Sequence, residues 1–557
     1  MIVNVEKMTI HHLMQRSFSL YASLPCLAFF DEKAITYAEL QKAMNALSAK
    51  LASLGVEPGD RIGLLGDNCP NWTIAYLAIT TMAAVAVPIL PGFPENDIRH
   101  IIRHAGCKAI FIGEKYRHKL EELASVPLVV LSLETLNAED AEKSRSSFYA
   151  KLLQKKSSKA SAAELPRPQE QDLAAIIYTS GTTGNSKGVM LSQRNIVFDI
   201  IHSIERFPIS SADRFLSILP LSHAFETTGG MLCPLTVGVS IYYLKGVPTP
   251  QKLLSATEIV KPTGILTVPL VVDKIYRKRI LPKMQGRLIS RLYRRPFFRK
   301  RLHKIAGKKL IKSLGGSLRF FMFGGASLNL DVETFLQDAE ISYSSGYGMT
   351  ETSPIMTINP FGAVKVGSCG KPIPGIELAI HQPNPETGIG EIIVRGDIVM
   401  QGYYKNADAT AASFLPDGWL RTGDLGYFDS EGYLFIKGRS KNVIIGPSGE
   451  NIYPEIIEQV LQQSPFIMEC VVYSHRGRLL AKAYLDSDVL DQEMSKRGLD
   501  SSGSADFIAQ VLEECRKAAN RELPAFSHVQ QILEHPEPFE KTPTNKVKRY
   551  LYIPEEN

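Results

Sequence analysis

Lys187 ends a run of small and hydroxylated residues, Tyr178-Thr179-Ser180-Gly181-Thr182-Thr183-Gly184-Asn185-Ser186-Lys187-Gly188, with the chemistry of a phosphate cradle. Hydroxyls and successive backbone N–H groups donate to phosphate oxygens, and the lysine adds a positive charge. The glycines let the chain turn tightly and let a ligand approach the backbone. Ser186 precedes the lysine and Gly188 follows it, so this is not a Walker A loop. A solvated linker is the alternative, but linkers seldom carry apolar strand-like runs on both sides.

Other candidates are spread along the chain. In Ser345-Gly346-Tyr347-Gly348-Met349-Thr350-Glu351 an aromatic stands between glycines, followed by a hydroxyl and a carboxylate. Tyr347 can cover a flat base and Thr350 can reach a phosphate. Glu351 can hold Mg²⁺, which takes one or two carboxylates beside phosphate oxygens and water. Gly324-Gly325-Ala326 offers only small residues where a ligand would lie against the backbone. His223 and Glu226 follow an apolar stretch ending at Pro220 and can form an ionisable pair at a pocket rim. Asp424 can accept from vicinal ribose hydroxyls. Arg439 can bind hydroxyls or phosphate, and Lys546 sits in a Pro-broken loop near the C-terminus.

The elements that must position these groups alternate helix and strand, which favours an α/β architecture. Leu173 to Ile177 and Val189 to Leu191 are apolar runs flanking the cradle, and Ser192 suits the N-cap of a following helix. The spacing of Leu40, Met44, Leu47 and Leu51 predicts a helix over 37–54 that stops at Gly55. Arg61 to Leu65, Lys108 to Ile112 and Leu318 to Phe323 read as strands. Residues 136–171 read as a surface connection. After residue 448 the pattern restarts as a compact unit with a helix opened by Pro454.

At 557 residues, 44% hydrophobic and 22% charged, the chain has the composition of a globular protein with more than one domain. The seven cysteines are dispersed and form no CxxC pair, which argues against zinc sites and disulfide frameworks. The first residues lack the apolar core of a signal peptide. Thr73 to Leu90 is uncharged but reads as a buried helix and strand rather than a membrane span. The net charge of +6 hides one basic segment. Residues 274–312 hold 16 Lys and Arg and no acid, and without them the chain has 47 basic and 57 acidic residues. Such a segment fits an anionic membrane surface or a solvated basic face. It carries no nucleic-acid-binding module.

Taken together these stretches resemble the adenylate-forming superfamily. YTSGTTGNSKGV is similar to its phosphate loop, GYGMTE to its adenine and magnesium motif, and TGD at 422–424 to its ribose motif. GRSKN at 438–442 is similar to its hinge, and PTNK at 543–546 to its catalytic-lysine loop. PLSHAFE at 220–226 and the basic insertion resemble the long-chain fatty acyl-CoA synthetases. Asn545 stands where that lysine loop usually has Gly, and Thr227 where some long-chain members carry an aromatic gate.

The resemblance implies a large AMP-binding domain over 1–438 with α/β sheets, and a small mobile α+β domain over 439–557. It implies ATP, Mg²⁺ and coenzyme A, and a fatty acid converted through acyl-AMP to acyl-CoA in the cytoplasm. Thr179, Ser180, Gly181, Thr182, Thr183, Gly184 and Lys187 would hold phosphates. Gly325, Ala326, Gly346, Tyr347 and Gly348 would bind the nucleotide, with Tyr347 stacked on adenine, and Asp424 and Arg439 would hold the ribose. Thr350 would contact the α-phosphate and Glu351 the metal. His223 would border the acyl carboxylate, Lys546 would bridge carboxylate and α-phosphate, and Lys441 would be the hinge. A carrier-protein thiol as acceptor, or an inactive lipid-binding scaffold, are the rival readings.

Overall fold

A computed structural model describes the chain except residues 1–2, 124–126, 138–164, 180–185, 247–248, 285–288, 290–292, 294, 447–448, 500–503, 543–545 and 555–557. Most of the 136–171 connection therefore lies outside the described residues. So do Ser180 to Asn185 of the cradle, part of the basic segment, Ser448, and Pro543 to Asn545 before Lys546.

The run ahead of the cradle is the strand Leu173–Thr179, buried from Ala174 to Tyr178 because nothing in it is charged. It pairs antiparallel with Lys187–Ser192, and Thr179 lies opposite Lys187. The two ends of the cradle are thus fixed side by side by a β-ladder. Ser192 caps the helix Gln193–Ile204 by accepting from the Asn195 N–H, and the Asn195 side chain accepts from the Ser192 N–H in return.

These two strands belong to a seven-stranded sheet. It runs Gly402–Tyr403, Lys187–Ser192, Leu173–Thr179, Val85–Ile89, Arg61–Leu65, Ala109–Ile112, Val129–Ser132. Its centre is parallel, as expected of strands that are apolar throughout and covered on both faces. The uncharged stretch from Thr73 supplies the helix Pro70–Thr81, whose residues from Trp72 onward are all buried, and the strand Val85–Ile89, also fully buried. Its apolar character is spent on the core. Among the described residues no helix is long and apolar enough to cross a membrane.

A nine-stranded sheet holds Gly264–Thr267, Phe320–Phe323 and Tyr343–Tyr347 as parallel neighbours. A hydrophobic cluster from Val3 to Leu420 joins the two large sheets through their helices, among them Pro70–Thr81 and Gln193–Ile204. Glu377–His381, Gly390–Arg395, Leu420–Phe428 and Leu434–Arg439 form a four-stranded antiparallel sheet. A fourth unit is three-stranded, with Ile467–His475, Arg478–Leu485 and Gln531–Glu534, and is packed by the helices Pro454–Leu461 and Ser504–Glu522. Its own buried cluster runs from Ile452 to Ile532 and shares no residue with the others. The α/β expectation, the strands and the helix over 37–54, seen as Tyr37–Ser53, agree with this architecture.

Candidate active site

Tyr347 is the last residue of the strand Tyr343–Tyr347, inside the nine-stranded sheet, where it pairs with Thr357. Its hydroxyl donates to Asp424 Oδ2 at 2.6 Å. Asp424 sits in Leu420–Phe428, directly across the ladder from Arg439, and the guanidinium Nε lies 2.7 Å from Asp424 Oδ1. Both carboxylate oxygens are therefore engaged. Burial pushes the Asp424 carboxyl up, against the pull of Arg439 and Tyr347. Gly348 is required where the chain leaves the sheet, because a side chain there would collide with the Pro354 carbonyl.

Glu351 follows in a single turn, Thr350–Thr352, and is buried. The Tyr403 hydroxyl donates to its Oε1 at 2.8 Å. Tyr403 pairs with Val189 in the seven-stranded sheet, and Lys187 Nζ stands 5.0 Å from the centre of its ring. Tyr403 therefore links the cradle lysine to the carboxylate of the other sheet. Sequence reasoning missed it, because a tyrosine after Gly402 carries no motif signal. Among the described residues no group of three His, Cys, Asp or Glu can hold a metal. A single buried carboxylate beside a phosphate cradle suits Mg²⁺ carried in on phosphates, not an all-protein cage.

Lys546 approaches from the C-terminal unit. The Thr542 N–H donates to the Lys546 carbonyl at 2.8 Å, and Lys541 pairs with Val547. The side chain is exposed to solvent, with the neighbouring domain close enough to desolvate it in part. Burial and the positive charge of Arg439 lower its pKa, while Asp424 and Glu351 raise it. Lys546 also helps burial hold His223 down to about 4, so the imidazole is neutral at pH 7. His223 Nδ1 accepts from the Phe225 N–H, leaving the ring proton on Nε2. Lys441 is exposed in the turn Ser440–Asn442. Thr350, Gly346 and Thr179 are half-buried around this cleft, and Gly325 takes a left-handed φ of 82°.

What holds the Lys546 segment was not legible either. Three residues on, Arg549 donates twice to Glu458 at 2.6 and 2.8 Å and once to the Val472 carbonyl at 2.7 Å. Glu458 belongs to the helix Pro454–Leu461, and its carboxyl also accepts from the Val472 N–H at 2.7 Å. The tail is thus pinned to its own domain by a partly buried ion pair in which Nη1 reaches both carboxylate oxygens and Nη2 takes the Val472 carbonyl.

One expectation is corrected. Glu226 does not share a pocket rim with His223. It opens a π-helical turn, Glu226–Leu232, and its side chain is buried inward on Ser217, whose hydroxyl donates to Oε1 at 2.6 Å. Gly230 makes this possible, since a side chain there would meet the Glu226 carboxyl. Thr227 is likewise buried, bonded to the Leu221 carbonyl, and gates nothing. The ring of Phe225 lies against Gly324.

Burial raises the Glu226 carboxyl from its ordinary 4.5 to about 8. Between those values the unfolded chain loses this proton while the folded protein keeps it, so stability falls as pH rises through that window. Glu226→Gln removes the titration. The melting temperature of the variant should gain on that of the unsubstituted protein as pH is raised from 5 to 8. A difference independent of pH would contradict a neutral buried Glu226.

The model of the AMP-binding enzyme family matches residues 15–404. Peroxisomal long chain acyl-CoA synthetase 6 of Arabidopsis thaliana is 31% identical over 93% of this chain and 80% of its own length. The long-chain-fatty-acid–CoA ligase FadD15 of Mycobacterium bovis is 30% identical over 92% of this chain and 90% of its own. In fold, the chain is similar to O-succinylbenzoate coenzyme A synthetase of Bacillus subtilis in complex with AMP, with a TM-score of 0.74, 23% identity and 97% of each chain covered. That likeness extends to a large N-terminal and a small C-terminal domain. With the matched stretch spanning Lys187, His223, Tyr347 and Glu351, and with relatives aligned over nearly its whole length, this chain belongs to the AMP-binding enzyme family.

Proposed function

We propose that this protein is an ATP-dependent fatty acyl-CoA synthetase. It activates a medium- to long-chain fatty acid as acyl-AMP with release of pyrophosphate, then passes the acyl group to coenzyme A with release of AMP. The observation that carries the reading is Lys546, drawn from the far end of the chain to within electrostatic reach of Asp424, Glu351, Arg439 and His223. A lipid-binding scaffold has no use for that convergence.

In the first step a carboxylate oxygen attacks the α-phosphorus of ATP. The bond to the bridging oxygen breaks, and pyrophosphate leaves with its electrons. Two anions must be brought together, so the protein's contribution is positioning and fixed positive charge. Lys187 and the cradle hydroxyls receive the outer phosphates, and Thr350 reaches the α-phosphate. Tyr347 lies along the adenine, framed by Gly325, Ala326, Gly346 and Gly348, and Asp424 and Arg439 receive the ribose. Lys546 neutralises charge shared by carboxylate and α-phosphate. Neutral His223 offers Nε2–H to the carboxylate without competing for its charge. Mg²⁺ held by Glu351 would neutralise phosphate charge further. In the second step the thiol sulfur of coenzyme A attacks the acyl carbon, the bond to AMP oxygen breaks, and the thiol proton is lost. We place the division between the domains at 438/439, with Lys441 as the pivot that takes Lys546 away before this step.

We place the acyl chain beside Phe225 and Gly324, where the neighbouring side chains Leu266 and Ile355 are apolar. Each methylene buried there contributes about 0.8 kcal/mol. Incubation with ATP, coenzyme A and acids from acetate to stearate should give AMP, pyrophosphate and acyl-CoA, with affinity rising along the series and then levelling. ADP and phosphate as products, or a preference for acetate, would contradict the proposal. Acyl transfer to a carrier-protein thiol but not to coenzyme A would favour the rival acceptor.

We place the protein in the cytoplasm, with peripheral contact to anionic membranes through 274–312. The helix Pro296–Ser313 turns Phe297, Ile305, Arg301, Lys308 and Lys309 outward, with Phe297 69% and Ile305 54% exposed. A cationic face carrying exposed apolar side chains suits an anionic bilayer surface. The protein should sediment with phosphatidylserine-containing vesicles and be released as salt rises, since charges are screened within about 8 Å at physiological ionic strength. Equal binding to neutral phosphatidylcholine vesicles would contradict this.

A further inference from the structure

The basic segment does more than face solvent. Its first turn, Tyr276–Ile280, touches the C-terminal domain. Arg277 Nη1 donates to the Ser464 carbonyl at 3.1 Å, and Nη2 donates to the Gln462 carbonyl. Asp273, one turn back, fixes the guanidinium from the other side, with Oδ2 2.8 Å from Nε. Gln462 is the C-cap of the helix Pro454–Leu461. The last carbonyls of a helix have no partner within it and carry partial negative charge, so a planar fork of donors is well matched to that end. One residue on, Lys278 Nζ reaches Asp488 at 2.9 Å. That pair is largely exposed and contributes little.

The helix that Arg277 grips is the one whose Glu458 takes Arg549, three residues beyond Lys546. A continuous set of contacts therefore runs from the large domain to the lysine: Asp273, Arg277, the end of Pro454–Leu461, Glu458, Arg549, Lys546. All of it exists only while the small domain is docked in the orientation that brings Lys546 to Asp424 and Glu351. Turning the domain about Lys441 must break the Arg277 contacts, because Arg277 belongs to one domain and both carbonyls to the other.

We infer that Arg277, braced by Asp273, is a positioning residue that latches the small domain in the adenylate-forming orientation. It touches no substrate and acts through Lys546. The inference rests on the two-step reading above, and it adds that the basic segment sets the balance between the two steps.

The half-reactions separate the possibilities. Fatty-acid-dependent ATP–pyrophosphate exchange reads adenylation. Thioester formation from synthetic acyl-adenylate and coenzyme A reads the second step and also reports that the variant is folded. Arg277→Ala should lower exchange roughly tenfold, the scale of one lost charge-assisted contact, and leave thioester formation equal or faster. Asp273→Asn should shift the ratio the same way by less. Arg277→Lys should fall between, since one ammonium cannot span two carbonyls and a carboxylate. Lys278→Ala should leave the ratio unchanged. Equal loss in both half-reactions, or no change in either, would overturn the latch while leaving the activity standing. Absence of exchange in the unsubstituted protein would overturn the activity, and the latch with it.

Discussion

Positive charge has to be collected in one partly buried place, and it repels itself. Lys187, Arg439 and Lys546 come from three different parts of the chain, and the positive charge of Arg439 opposes the charged form of Lys546. Two carboxylates make the collection tolerable. Asp424 is held in place by Tyr347 and Arg439, and Glu351 by Tyr403. A buried carboxylate without such partners would take up a proton and lose that role. Glu226, whose second oxygen has no partner among the described residues, shows that outcome, with its pKa at about 8.

The rest of the fold can be understood as what fixes these groups. Two large sheets carry Lys187 and the Tyr347 strand, and Tyr403, paired in the first, bonds Glu351, which follows the second. The small domain adds one lysine, and its own packing holds that lysine through Glu458 and Arg549. Glu458 is itself pushed up to about 7 by burial, a cost that its bonds to Arg549 and the Val472 N–H oppose. A separate hydrophobic cluster gives this domain a core of its own.

Much of this was legible in the sequence, for identifiable reasons. Apolar runs such as Leu173 to Ile177 and Val189 to Leu191 have one physical use, and they became adjacent strands. Glycine spacing marked the places where the backbone must be bare, and Gly348 is one of them. Partnerships between distant residues were not legible. Tyr347 and Asp424 are 77 positions apart, and nothing in either neighbourhood names the other. An apolar stretch ending at Pro220 suggests a rim for Glu226, whereas the π-helical turn and Gly230 direct the side chain inward. Arg277 was hidden among 16 basic residues of like appearance, and only its place at a helix end distinguishes it.

The central claim is that Lys546 serves the charge collected around Asp424 and Glu351, and serves it in one domain orientation only. The most direct measurement compares Lys546→Ala in the two half-reactions. ATP–pyrophosphate exchange should fall by ~100-fold or more, on the scale of removing one preorganised electrostatic donor. Thioester formation from synthetic acyl-adenylate and coenzyme A should continue near the native rate. Equal slowing of both half-reactions would contradict the account.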